Sequence, residues 1–196
     1  ISVMGPHAGE SSEEIFERKI SDISKTGRTF WMFKSFRAKP DMIQKILSIA
    51  QNNNSEVKVY FIEASSKGGA VPTKTSELAK YYSQDRIEWK SFPNNLSPVT
   101  GKIDAGACAV ILDKLELHED SIDLWDYADL FNQGEPIKIQ QGASTVCAIK
   151  KDMSKCNDLI KSHIRKTIAV GRLCSPGGVW LKTETDSKHF PLDDYF

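Results

Sequence analysis

The chain has 196 residues, of which 40% are hydrophobic and 27% charged, and its 26 basic residues balance its 26 acidic residues. These values are ordinary for one globular domain, and no apolar run approaches the roughly 20 residues that cross a bilayer, so a membrane-spanning helix is excluded. Residues 1–10 contain neither a basic segment nor a long apolar segment of the kind found in signal peptides. We therefore expect a cytoplasmic protein without a membrane partner.

The first 64 residues alternate between strands and amphipathic helices. Strands are predicted at 1–4, 28–33 and 57–64, and helices at 12–26 and from Pro40 to the Asn run at 52–54. In the first helix Phe16, Ile20 and Ile23 recur at helical spacing, and Gly27 is placed to end it. Pro40 suits the first turn of the second helix. This alternation is typical of a βαβαβ unit.

The remainder of the chain is richer in strands. The predicted elements are a short helix at 75–83, strands at 86–92, 107–117 and 144–151, a helix from Met153 to Ile168, and a hairpin formed by 167–173 and 179–185. Pro176 and Gly177 suit the central positions of a type II turn in that hairpin. We predict the α/β class, with mixed α+β as the alternative. A single domain over 1–196 would contain the βαβαβ part at 1–64, a strand-rich part at 65–185 completing a mixed sheet or partial barrel, and a tail at 186–196.

The four cysteines show no metal-binding or redox spacing. They lie at positions 108, 147, 156 and 174, without a C-x-x-C pair or a zinc-finger arrangement with histidine. Cys108 and Cys147 fall in apolar, strand-like runs, where a free cysteine behaves as a small hydrophobic residue. We expect buried thiols, with disulfides left open because the number is even.

Charge is distributed unevenly along the neutral chain. Residues 18–45 hold eight Lys or Arg against two acids, residues 104–135 hold one Lys against nine acids, and residues 150–182 hold eight Lys or Arg against two acids. If the two basic stretches shared one face, that face would attract a polyanion. Alternatively, the acidic and basic stretches pair with each other inside the fold. Both interpretations stay open.

The segment GPHAGESSEE (5–14) lies between a strand and a helix, where phosphate-binding loops occur. Ser11 and Glu14 form a capping-box pattern that occupies the backbone donors a phosphate would need, and the surrounding glutamates would repel it, so this site is excluded. His7 and Glu10 remain as a candidate acid–base pair for a small hydrolase or transferase acting on a nucleotide-like substrate. The alternative is a simple turn that exposes His7.

Residues 25–40 combine five basic side chains with Phe30, Trp31, Phe33 and Phe36. Bases stack on aromatic faces while Lys and Arg contact phosphates, so this mixture favours binding of a nucleic acid or nucleotide. Core strands are also aromatic, which is the competing explanation. The candidate nucleic-acid-binding residues are Arg28, Trp31, Lys34, Arg37, Lys39, Lys161, Arg165, Lys166 and Arg172.

The acidic segment 116–131 and the C-terminal tail are candidate contacts for a protein partner. The acids beside His118 lack the glycine and final glutamate of an EF-hand loop, so we predict no metal site there. No motif identifies a cofactor or decides whether the protein is an enzyme. The leading hypothesis is an intracellular nucleic-acid- or nucleotide-binding domain; the alternatives are the hydrolase or transferase and a protein-interaction module.

Overall fold

A computed structural model describes residues 1–5, 9–35, 37–63, 77–131, 145, 147–150 and 163–183. The helices are α1 (Ser12–Thr26) and α2 (Pro40–Asn52), and a 3-10 turn covers Leu124–Asp126. The strands are β1 (Ser2–Met4), β2 (Thr29–Lys34), β3 (Lys58–Glu63), β4 (Glu77–Leu78), β5 (Tyr81–Ser83), β6 (Lys90–Ser91), β7 (Thr100–Gly101), β8 (Ala107–Asp123), β9 (Tyr127–Asp129), β10 (Ala148–Lys150) and β11 (Ile164–Lys182). The predicted α/β class is confirmed. The assignment of the whole chain to one domain stays a prediction.

The five elements predicted for the first 64 residues are present because their signals are local. The backbone N–H of Glu14 donates to Ser11 Oγ at 3.2 Å, and the N–H of Ser11 donates to Glu14 Oε2 at 2.7 Å, which completes the capping box. Gly27 ends α1 with a φ of 78°, a conformation that glycine adopts without steric cost. Pro40 occupies the first turn of α2.

Two long strands organise the main sheet. β11 runs antiparallel to β8 along most of its 19 residues, and β2 pairs with the first part of β8. β3 pairs antiparallel with the middle of β11, and β1 lies parallel to β3, so the sheet is mixed. β5 pairs with the end of β11, and β6 extends the sheet beyond β5. The strands β4 with β7, and β9 with β10, form two small separate pairs.

Two helical predictions for the second half are wrong where the structure describes them. Residues 77–83 form β4 and β5 rather than a helix, and residues 164–168 begin β11. Side chains of the latter segment alternate in burial, with Thr167 and Ala169 buried and their neighbours less so, which is the period of a strand. Pairing with β8 decides this outcome, and local spacing does not reveal it. The rest of the predicted helix, 153–162, lies outside the described residues.

The predicted hairpin is also wrong, because its two strands are halves of the single strand β11. Leu173 pairs with Leu112 and Gly178 pairs with Val110, so the segment between them is a bulge. Gly178 lies directly beneath α2: a Cβ atom there would be 2.8 Å from Pro40 Cα. The glycines therefore allow the helix to approach the strand.

The sheet has a packed layer on each face. The helical face contains Phe16, Trp31 and Phe61 at its centre, whose rings contact one another. The opposite face is covered by the segment 79–103, which packs on Phe30 and Leu181 among others. The edge of the sheet formed by β5, β6 and the end of β11 is the location of the candidate site.

Candidate nucleic-acid interface

The aromatic residues predicted to contact a nucleic acid are in the core. Trp31 is 7% exposed, and its ring lies 5.2 Å from that of Phe16 and 4.4 Å from that of Phe61, centroid to centroid. Phe30 and Phe33 are each 1% exposed. The expectation that Trp31 is a surface ring is therefore wrong: strand alternation turns these rings toward the two hydrophobic layers. Phe36 lies outside the described residues.

The basic residues of β11 face the acidic residues of the neighbouring strand. Arg172 Nε lies 2.7 Å from Asp113 Oδ1, and its Nη1 lies 2.9 Å from Glu56 Oε1. These two carboxylates raise the pKa of Arg172 further above its already high value. Lys166 Nζ lies 3.6 Å from Glu119 Oε1. Internal pairing of the acidic and basic stretches is thus the interpretation that the structure supports.

Among the described residues, the candidate basic side chains of the two stretches lie at different positions along β8. Lys34 pairs with Ala107 at the start of β8, whereas Arg165 pairs with Ile122 near its end. At about 3.3 Å per residue, roughly 50 Å of strand separates these positions. Arg28 and Arg172 lie between these positions, where β2 and β11 pair with residues 112–114 of β8. Lys161 lies outside the described residues.

The candidate acid–base pair is described only in part. Glu10 accepts two hydrogen bonds from Arg18, from Nε at 2.9 Å and from Nη2 at 2.6 Å. Arg18 also donates to the carbonyl of Pro98, so it ties the start of α1 to the loop before β7. His7 lies outside the described residues, and the acid–base role stays a prediction.

A different group of aromatic and basic side chains meets at the edge of the sheet. We name it the indole ledge, and its members are Tyr81, Arg86, Trp89, Trp180 and Lys182. All five are partly exposed. Trp180 and Lys182 are two positions apart on β11, so their side chains leave the same face of the strand. Lys182 pairs with Tyr81 across the sheet, which adds the Tyr81 ring to that face.

Arg86 lies flat on Trp180. Its Cζ atom is 3.4 Å from the centroid of the indole ring. At this distance a guanidinium perpendicular to the ring would bring a nitrogen too close to it, so the group presents its face to the indole. Arg86 Nη2 donates to the Ala105 carbonyl at 2.8 Å, which fixes the stack in one orientation. Burial lowers the pKa of Arg86, while Asp41 and Cys108 act in the opposite direction.

The second indole of the ledge is held by the same arginine. Trp89 Nε1 donates to the Arg86 carbonyl at 3.1 Å, and Lys182 Nζ lies 5.3 Å from the centroid of the Trp89 ring. Each of the two indoles is therefore paired with a cation. Such a group combines flat apolar surface with positive charge, the two features that bases and phosphates require.

Further basic residues lie at the same end of the sheet. Lys34 is at the end of β2, where its Nζ atom contacts the Lys102 carbonyl and lies 2.8 Å from Asp104 Oδ1. Arg37 and the exposed Lys39 come directly before α2, whose first residue packs on Gly178. Gln44 donates to the carbonyls of Gly178 and Gln84 and so joins this helix to the ledge. Of the predicted basic residues that the structure describes, Lys34 therefore contacts the loop to which Arg86 donates, and Arg37 and Lys39 precede the helix that packs on Gly178.

Sequence reasoning missed the ledge because its members are distant in the chain. The available signal was the Trp180-Leu181-Lys182 triplet, which places an aromatic and a basic side chain on one face of a strand. Nothing local indicates that Arg86 stacks on Trp180, since this contact depends on the pairing of β5 with β11.

A second polar cluster lies beneath the loop at 93–99. The Asp22 carboxylate is buried and accepts hydrogen bonds from Thr29 Oγ1 at 2.8 Å, from the Ser97 N–H at 2.8 Å and from Ser97 Oγ. Lys19, 5% exposed, places its Nζ atom 3.9 Å from Asp22 Oδ2, and no hydrogen-bond acceptor reaches that atom. Burial lowers the pKa of Lys19 to about 8, with Arg18 adding to the effect. The cluster ties α1 to the loop and leaves an ammonium group buried without a hydrogen bond.

The three described thiols are not arranged for nucleophilic chemistry. Burial raises the pKa of Cys108 to about 12, that of Cys147 to about 11 and that of Cys174 to about 11. Cys108 and Cys147 are buried free thiols, as expected. A nucleophilic cysteine needs the opposite shift. Cys156 lies outside the described residues.

Within the described ranges, no three His, Cys, Asp or Glu side chains converge as a metal ion would require. No helix there is long and apolar enough to cross a membrane. Comparison of the chain with protein-family models, with curated proteins and with solved structures found no match. The functional argument therefore depends on the geometry of the ledge.

Proposed function

We propose that the protein binds single-stranded nucleic acid, or a nucleotide, through the indole ledge. The observation that carries the proposal is the Arg86–Trp180 stack, with Cζ 3.4 Å from the ring centroid, beside a second indole with Lys182 at 5.3 Å. A guanidinium held flat against an indole is a platform on which a base can stack. This differs from the interface expected from residues 25–40, whose described rings, Phe30, Trp31 and Phe33, are buried.

The charges around the ledge support an anionic ligand. Lys182 lies within the ledge. Lys34 contacts the loop that contains Ala105, the residue to which Arg86 donates, but its ion pair with Asp104 at 2.8 Å leaves it little net charge to offer. The exposed Lys39 adds a cation at the start of α2. A backbone phosphate that follows a base stacked on Arg86 would meet one of these side chains. The acids Asp85 and Glu88 on the neighbouring loop limit the positive potential, so we expect modest affinity.

The proposal is tested by fluorescence anisotropy with labelled oligothymidylate and oligouridylate of about 12 nucleotides, a length within the range that single binding modules cover. We expect binding that weakens with salt, with a logarithmic slope of about −0.7 for each phosphate contacted. Arg86→Lys keeps the charge and removes the planar platform, so affinity should fall by about tenfold, the equivalent of one lost stacking contact, with little change in the slope.

Arg28→Lys is the matched control, because Arg28 is exposed and lies at the other end of β2. It should bind as the unaltered protein does. Thermal unfolding of both variants checks that the fold is intact. If neither oligonucleotide binds at low salt, or if Arg86→Lys binds as tightly as the control, the proposal is wrong.

A further inference from the structure

The loop between β5 and β6 presents one isoleucine to solvent at the border of the indole ledge. Ile87 is 81% exposed, the largest value among the exposed large hydrophobic side chains of the described residues. It directly follows Arg86, the arginine that stacks on Trp180. A single exposed apolar side chain is common on protein surfaces, so exposure alone indicates nothing. A second observation is that hydrogen bonds hold the backbone of this loop on both sides of Ile87.

The backbone around Ile87 is held by its neighbours. Asp85 Oδ1 accepts hydrogen bonds from the N–H of Ile87 at 2.8 Å and from that of Glu88 at 3.1 Å. Ser83 Oγ accepts from the N–H of Arg86 at 2.9 Å. These contacts hold Arg86 at a φ of 65°, which is uncommon for a residue with a side chain.

Both flanks of the loop are also anchored to the ledge. Arg86 is fixed by Trp180 and by the Ala105 carbonyl, and the Trp89 indole donates to the Arg86 carbonyl. The loop therefore holds Ile87 in a fixed place while leaving its side chain in water. The β-branched side chain has few rotamers, so little freedom is left to lose on contact with a ligand.

We propose that Ile87 is a wedge that packs against the base next to the one on the Arg86–Trp180 stack and separates the two bases. This inference rests on the proposed function and adds the mode of recognition: two successive bases of a single strand, unstacked from each other. Apolar side chains inserted between bases are a known means of unstacking them. A mononucleotide would gain nothing from this residue.

The test uses an oligodeoxyadenylate of about 12 nucleotides with one central 2-aminopurine, whose fluorescence rises when it loses a stacking neighbour. Binding of the unaltered protein should raise the fluorescence. Ile87→Ala should remove most of that rise and weaken binding by about 10- to 50-fold, depending on how completely the three lost apolar carbons are covered by the base. Ile87→Met, which keeps the apolar bulk, should retain both signals.

Ile164→Ala is the control, because Ile164 is 65% exposed and lies at the opposite end of β11. It should match the unaltered protein. If Arg86→Lys weakens binding but Ile87→Ala changes neither affinity nor fluorescence, the wedge is wrong and the binding function stands. If the oligonucleotide does not bind, or if Arg86→Lys leaves affinity unchanged, the binding function itself fails, and the wedge fails with it.

Discussion

Replacing Lys19 with methionine should stabilise the protein at neutral pH. Methionine fills a similar volume and carries no charge, whereas the Lys19 ammonium is buried without a hydrogen bond. Burial lowers the pKa of this group from 10.5 to about 8. At about 1.36 kcal/mol per pKa unit, that difference means that the folded protein disfavours the charged form of Lys19 by roughly 3 kcal/mol. That figure already includes the attraction to Asp22, which raises the pKa, so it is an upper bound and we expect the variant to be about 1–3 kcal/mol more stable.

The effect has a defined pH dependence. Between about pH 8 and 10.5 the unfolded chain keeps its proton on Lys19 and the folded chain releases it, so the stability that depends on this group rises with pH. The advantage of Lys19→Met should therefore shrink as the pH increases through that window. The thiols act in the opposite direction above about pH 9, because burial raises their pKa values, but they are common to both proteins and cancel in the difference.

Urea unfolding of both proteins at several pH values between about 7 and 10 measures this difference. Lys25→Met is the matched control, because Lys25 is on the same helix and exposed. Its stability should change by less than about 0.5 kcal/mol, with no trend across the window. A Lys19→Met protein that is less stable than the unaltered one at pH 7, or a difference that does not vary with pH, would refute the reasoning.

Three further predictions concern positions with clear geometry. Gly178→Ala should lower the free energy of unfolding by about 1–3 kcal/mol in urea titrations, because its Cβ would lie 2.8 Å from Pro40 Cα; an unchanged midpoint would contradict this. Gly27→Ala should lower the free energy of unfolding by about 1 kcal/mol, because a φ of 78° strains a residue with a side chain even though nothing contacts the added atom. Equal stability of the two proteins would contradict this and show that the helix end relaxes. Cys108 should resist a thiol reagent near pH 8 and react only in urea, which peptide mapping by mass spectrometry measures; labelling in the native state would show that it is accessible.

The sequence was a good guide where neighbours in the chain determine the structure. The boundaries of α1 follow from Ser11, Glu14 and Gly27, which act within a turn of the helix ends. The strands β2 and β3 follow from short apolar runs between helices. These elements needed no knowledge of their tertiary partners.

The second half could not be predicted in the same way because partners distant in the chain decide it. Ile164 and Ile168 fit a helical spacing, yet both belong to β11 because β8 provides a long strand to pair with. Pro176 and Gly177 carry the signature of a tight turn, but the chain resumes the same strand after a bulge.

The candidate site illustrates the same limit. The sequence drew attention to Trp31 because aromatic and basic residues surround it, and a core strand can carry the same composition. The Arg86–Trp180 stack joins a residue of the β5–β6 loop to a residue of β11, and neither has a motif of its own. Only the pairing of β5 with β11 places them in contact.

The continuity of β11 past its bulge has a consequence for how the molecule comes apart. Its first half completes the hydrogen bonding of β3, and its last residues complete that of β5, while β8 accompanies both. If β11 separates from the strands at one end of the sheet, backbone N–H and C=O groups at the other end also lose their hydrogen-bond partners. The described sheet should therefore melt as one cooperative unit, with the same midpoint reported by Trp180 at one end and by Tyr60 at the other.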